Sequence, residues 1–323
     1  MKRTLVTGAS GFVGANLVRR LLRDGNQVHL LLREAHQVWR LQEISADCQV
    51  TTGDVTDRDA VRLSMAAAKP DWVFHLSAYG AYASQTGFEQ MTTTNVLGCA
   101  NVLDSCIELG VEAFVQAGSS SEYGYQAHAA REDSRIEPNS HYAITKAAAT
   151  HYCRFTARQL DFHAATARLY SIYGPYEEPT RLIPTLLIHC FRGELPPLVS
   201  PNTARDFVYV DDAVEALIRI AGGENVPPGA IYNVASGVQT TLSDVVEQAR
   251  ELLQVASEPA WGGMAPRAWD TCVWVGDPAA IRRDTGWTAL TSLRDGLGRT
   301  ISWLREHPRW LSFYDQKILD KTC

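Results

Sequence analysis

Thr7-Gly8-Ala9-Ser10-Gly11-Phe12-Val13-Gly14 joins an apolar run at residues 3–7 to a helical pattern over 12–24. The glycines recur at every third position, and their place between a first strand and a first helix gives that spacing its weight. A strand that turns at once into a helix needs residues without a Cβ, and backbone there can approach a pyrophosphate closely. The first helical turn then offers unpaired N–H groups and the positive end of the helix dipole. Gly8, Gly11 and Gly14, with Phe12 and Val13, are therefore candidate contacts to a dinucleotide. Incidental glycines in a plain turn are the competing reading.

Outward from this loop, apolar and β-branched runs at 27–32, 49–51, 71–76, 112–117 and 162–169 alternate with helical patterns at 57–67, 88–109 and 142–159. Repeated units of this size predict an α/β fold, a Rossmann-type doubly wound parallel sheet covered on both faces. The runs are apolar at consecutive positions, as burial on both sides requires. Beyond Tyr173, Pro175, Pro179, Pro184, Pro196, Pro197 and Pro201 interrupt the rhythm. A smaller, more irregular region is expected there. It is expected to interleave with the first, because 211–221 and 231–236 read as one more helix and strand of the main sheet. The expected division is a dinucleotide-binding domain over 1–170, rejoined by about 207–236, and a substrate domain over 171–206 and 237–323.

The 323 residues are 46% hydrophobic and 20% charged, with a net charge of −6. That is an ordinary globular composition with ample material for a core. Mild acidity speaks against nucleic acid or an anionic membrane as the main partner, although local arginines can still gather an anionic small ligand. No apolar run reaches membrane-spanning length and no leader pattern stands at the start, so a cytoplasmic location is expected. The seven cysteines lack a CxxC pair and the nine histidines are scattered. Both suit a reducing compartment and no metal site.

The run Val28–Leu32 ends in Arg33, with Arg40 close behind. An acidic residue there commonly bonds the ribose 2′-hydroxyl of NAD, whereas a guanidinium matches a 2′-phosphate in charge and geometry. NADP(H) is thus the preferred cofactor; NAD(H), with Arg33 turned to solvent, is the alternative. Tyr142 and Lys146 form Y-x-x-x-K. On a helix they share a face, and an ammonium beside a phenol is expected to lower the phenol's pKa from about 10. Such a phenol exchanges a proton with a hydroxyl or carbonyl while hydride moves to or from nicotinamide.

With that pair, the chain resembles the NAD-dependent epimerase/dehydratase family, the extended short-chain dehydrogenase/reductases that act on nucleotide sugars, along nearly its whole length. Gly8, Gly11 and Gly14 match the family's opening loop, and Tyr142 and Lys146 its catalytic pair. The resemblance implies Asp54, followed by Val55, beside the adenine. It places Leu76 and Ala78 of the His75–Ala78 stretch beside the cofactor, and Asn95 on the long helix. It implies Ser119 as the catalytic hydroxyl, counting forward from Phe114 and back from Tyr123-Gly124, with Ser120 and Ser121 as rivals in the same pocket. Arg168–Pro175 corresponds to a family R-x-x-N-x-Y-G-P segment in which Ser171 replaces the usual asparagine. Arg205 matches the arginine that holds the nucleotide diphosphate, with Arg267 as a second clamp; two guanidinium forks suit phosphate oxygens. Tyr79 is a candidate wall of the sugar pocket or a packed loop residue. Family members are usually homodimers through a four-helix bundle, which implies 88–109 and 142–159 as the interface.

The residues after Ser119 narrow the reaction. The family's 4,6-dehydratases carry an Asp-Glu pair there, and its sugar-acid decarboxylases a glutamate at the second position. Here stand Ser120 and Ser121. Without that carboxyl group, elimination and decarboxylation lack their acid or base, and Glu122 would have to reach back. Reduction of a nucleotide-linked 4-keto-deoxyhexose with NADPH is the expected activity, on the strength of Arg33. Its alternative is 4-epimerisation with retained NAD. A non-catalytic dinucleotide sensor would not need Ser119, Tyr142 and Lys146 together. A neutral non-sugar ketone would give Arg205 and Arg267 no partner.

Overall fold

The computed structural model describes residues 1–82, 84–265 and 271–322. The chain runs β1 (Arg3–Thr7), α1 (Phe12–Arg23), β2 (Gln27–Leu32), β3 (Gln49–Thr52), α2 (Arg58–Ala68), β4 (Trp72–His75), α3 (Phe88–Thr92), α4 (Gly98–Glu108), β5 (Ala113–Ser119), α5 (His141–Gln159) and β6 (Ala164–Leu169). It continues through β7 (Ser171–Tyr173), α6 (Leu182–Phe191), β8 (Ala204–Arg205), β9 (Phe207–Tyr209), α7 (Val210–Gly222), β10 (Ala230–Val234), β11 (Thr240–Thr241), α8 (Leu242–Leu253), α9 (Ala279–Thr285), α10 (Leu293–Glu306) and α11 (Pro308–Thr322).

Seven strands pair in parallel in the order β10-β6-β5-β4-β1-β2-β3. This is the Rossmann-type doubly wound sheet. Its order reverses between β1 and β4, and a crevice opens beyond the strand ends at such a reversal. One face is packed by α1, α7 and α9 through Leu17, Leu21, Leu217 and Ile281. The other is packed by α2, α4 and α5 through Val61, Leu103 and Cys153. Each fully buried Leu- or Val-sized side chain contributes about 1.5–3 kcal/mol.

A further core gathers Leu186, Leu187, Val245, Leu297, Ile301 and Tyr314 from α6, α8, α10 and α11. The region past Tyr173 is therefore more helical than its prolines suggest. Pro184 stands in the first turn of α6 and Pro308 opens α11, where the missing N–H has no intrahelical partner to lose. Thr241 and Ser292 cap α8 and α10 by accepting from Asp244 N and Asp295 N. The chain enters this core at Tyr173 and returns to the sheet over α7 and β10. It leaves again through α8, comes back at Ile281 and Trp287, and leaves once more for α10 and α11.

The expected helix over 88–109 is interrupted. A π-helical turn at Thr93–Leu97 separates α3 from α4 and carries the buried Asn95. Such insertions often mark functional positions. Among the described residues, no helix is long and apolar enough to cross a membrane, and no His/Cys/Asp/Glu group could hold a metal ion.

Candidate active site

The loop between β1 and α1 is shaped by close approach. Gly8 has φ +70°, and a Cβ there would lie 2.5 Å from Leu76 O and Ser77 N. A Cβ on Gly14 would lie 2.9 Å from Ala9 Cα and closer still to Gly8 O. Gly11 caps α1 without any side-chain hydrogen bond, and the first turn holds no acidic residue. The first N–H groups of this helix, those of Phe12 and Val13 among them, are the donor set a pyrophosphate requires. The residues present thus fit a dinucleotide.

Around the loop, Leu76 N donates to Thr7 O, and Ala78 lies exposed just beyond. Val55 is buried; a Cβ on Gly98 would lie 2.8 Å from its Cγ2. Asp54 Oδ1 accepts from Thr56 N and Oγ1, both at 2.9 Å. Arg33 is exposed at the end of β2. Arg40 departs from the sequence expectation. It is buried, donating to Tyr176 O (2.8 Å) and Ser10 O (3.3 Å) and pairing with Glu178 (3.0 Å). Its guanidinium braces the dinucleotide loop from behind and is not presented to a 2′-phosphate.

His75, at the end of β4, is buried with Nδ1 2.8 Å from Thr7 Oγ1. Burial first, then the nearby Lys146, push its pKa down from 6.5 to about 3. The folded protein keeps this ring neutral where the unfolded chain binds a proton. Stability is therefore expected to fall by roughly 1 kcal/mol per pH unit as pH drops below about 6.5 toward 3. Melting curves at pH 7, 5.5 and 4 check this, and His75→Gln should flatten the decline.

Ser119 ends β5. Its Oγ lies 2.7 Å from Ser121 Oγ and accepts from Ser121 N at 3.2 Å. Tyr142 is the second residue of α5, which Ser140 caps by accepting from Ala143 N at 3.2 Å. Ser119, Glu122 and Arg181 are among the groups that act on its phenol. Lys146 follows one turn on, buried. Asn95 ties the loop after β4 to α5. Its Nδ2 donates to Tyr79 O and Thr145 Oγ1, and its Oδ1 accepts from Tyr79 N. Tyr79 is half-buried there.

The expected lowering of the Tyr142 pKa is not what this environment produces. Burial, then the charge of Glu122, push the phenol up to about 12, against the Ser119 hydrogen bond and Arg181. Lys146 is itself lowered by burial, with Glu122 and Cys99 opposing. Low dielectric and the Glu122 charge outweigh the lowering by Arg181.

On the substrate side, Ser120 is buried and accepts from Trp274 Nε1 at 3.2 Å. The Arg205 guanidinium lies 5.3 Å from the Trp274 ring. Ser171 N donates to Asp206 O at 3.0 Å. Arg267 lies outside the described residues. Sequence reasoning missed Trp274 and Asp206. The carboxylate of Asp206 accepts from Ser236 N, Ser236 Oγ, Gly237 N and Gly276 N, anchoring the segment that carries Arg205. It also missed the inward turn of Glu122, which Ser119-x-x-Glu122 spells as a capping box.

Known proteins share this fold and much of the chain's length. "dTDP-glucose 4,6-dehydratase" of Streptomyces griseus is 28% identical over 95% of this chain and 95% of its own length. "UDP-glucose 4-epimerase" of Mycolicibacterium smegmatis is 29% identical over 94% and 98%. The solved structure of MoeE5 with UDP-glucose and NAD is 30% identical, covers 94% of this chain and 98% of that one, and superposes with a TM-score of 0.81. The family model for NAD dependent epimerase/dehydratase matches residues 4–235, from the first strand of the sheet to just past the last. On that match the chain belongs to the NAD-dependent epimerase/dehydratase family, whose nucleotide-sugar dehydratases and epimerases are extended short-chain dehydrogenase/reductases.

Proposed function

We propose that the protein oxidises and re-reduces C4 of a UDP-sugar with a retained NAD, as a 4-epimerase. The turn after Ser119 carries this reading. Ser120 bonds Trp274, Ser121 bonds Ser119, and Glu122 faces Arg168. Hydroxyl groups around Tyr142 suit proton exchange at one sugar oxygen and supply nothing to eliminate water or release carbon dioxide. The relatives named for UDP-glucose and NAD support the substrate and the cofactor.

A bound nicotinamide dinucleotide supplies the hydride exchange. The chain's own groups do the rest. Tyr142 takes and returns the proton of the C4 hydroxyl, Ser119 hydrogen-bonds the same oxygen, and Lys146 holds positive charge on the same helix face. Arg205 and Arg267 hold the diphosphate, and Tyr79 and Ser171 border the sugar. A second copy packs on α4 and α5, where Ile144 and Phe155 lie exposed on one face of α5. Phe155→Asp should yield a monomer in sedimentation.

Net reduction of a 4-keto sugar with NADPH is the second reading, favoured by the exposed Arg33 at the ribose end. Cofactor released from purified protein separates the two. NAD that survives dialysis, with interconversion of UDP-glucose and UDP-galactose without added cofactor, is the expected result. An empty protein that prefers NADPH would replace it with the reductase. In that case Arg33→Asp should weaken NADPH binding about tenfold and spare NADH; an unchanged preference would remove the 2′-phosphate role.

A further inference from the structure

Exchange of hydride and proton at C4 requires the serine hydroxyl to be held still beside Tyr142. We infer that Glu122 is a positioning residue: clamped by Arg168, its carboxylate holds the backbone N–H of Ser119 and fixes the catalytic hydroxyl in place. The inference rests on the proposed chemistry at C4.

Both partners are sealed from water, Glu122 at 0% and Arg168 at 1% exposure. Arg168 Nε donates to Glu122 Oε2 at 2.8 Å, and Ser119 N donates to Glu122 Oε1 at 2.8 Å. The Ser119 hydroxyl accepts in return from Ser121 N, so the turn is closed from both ends. Arg168 is fixed on β6, with its guanidinium 4.4 Å from the Tyr123 ring. The Tyr123 hydroxyl donates to Asn233 Oδ1 on β10 at 2.8 Å. The clamp is therefore built on the two strands beside the turn. Gly118 leaves room for it: a Cβ there would lie 2.9 Å from Glu122 Oε1.

A buried ion pair is a poor source of stability, since apolar side chains of the same volume often serve as well. Here Arg168 Nη1 lacks a partner among the described residues, which raises its cost further. What an apolar pair could not supply is an acceptor for the N–H of Ser119 at the end of its strand.

The test compares full-length wild type with two double variants, Glu122→Leu/Arg168→Met and Glu122→Gln/Arg168→Met. Both remove the buried charges together; only the second keeps an oxygen to accept the Ser119 N–H. Amide exchange over residues 116–123 is measured with NAD bound, alongside kcat and KM for UDP-glucose. The leucine form should exchange there at least about tenfold faster and lose about a hundredfold in kcat, with little change in KM or NAD affinity. The glutamine form should keep both values within about threefold of wild type. Wild-type behaviour of the leucine form overturns the inference, as does an equal loss in the glutamine form. The latter result can be read even if the leucine form does not fold. A wild type inert toward nucleotide sugars would sink the proposed reaction instead, and the exchange contrast would still decide the clamp.

Discussion

Tyr142→Phe is expected to lower turnover of a nucleotide sugar about a thousandfold while NAD affinity changes less than about twofold. The substitution removes one oxygen and keeps the ring that packs at the start of α5. That oxygen is the one proposed to move a proton. With the phenol pushed up to about 12, its ionised form is scarce at neutral pH. In the wild type, sugar oxidation should therefore quicken as pH rises through neutrality, and the variant should lose that slope with its activity. Single-turnover reduction of bound NAD, followed by absorbance, separates loss of chemistry from loss of binding. Near-normal turnover in Tyr142→Phe would remove the phenol from the reaction.

Gly8→Ala should be the most damaging small substitution for cofactor binding. The residue has φ +70°, and the new Cβ would press on Leu76 O and Ser77 N, which are backbone atoms that cannot swing aside. The β1 turn must separate from the end of β4, where the crevice opens. A stability loss of about 2–4 kcal/mol and at least a hundredfold weaker NAD binding are expected. Gly298→Ala is the control. It lies inside α10 with nothing within 4 Å of its would-be Cβ. Losing backbone freedom there should stabilise by about 0.5–1 kcal/mol. Equal outcomes at the two positions, read from melting and NAD titration, would contradict the close-approach argument.

The parallel sheet was legible because strands buried on both faces leave uninterrupted apolar runs, and because Gly8, Gly11 and Gly14 mark one turn that only a strand-to-helix junction explains. Ser119 and Tyr142 were legible as local motifs, and they stand at the end of β5 and in the first turn of α5. Less could be read where the meaning of a residue depends on distant chain. Arg40 looked like a phosphate ligand by its place after β2, yet Tyr176 and Glu178, far along the sequence, claim its guanidinium. Trp274 bonds Ser120 across nearly half the chain, and no local pattern announces such a contact. The π-helical turn around Asn95 preserves an apolar pattern that reads as one helix. The phenol's pKa went the other way because burial is a property of the assembled fold, whereas the Tyr142 and Lys146 spacing is a property of one helix.

The route of the chain, back and forth between the sheet and the helical core, limits how a protein of this shape can evolve. Segments near the crossings carry Ser171, Arg205 and Trp274. No single breakpoint separates the sheet from the helical core, so an exchange at one junction would divide both. A chimera joined at one junction between two such enzymes should therefore fail to fold.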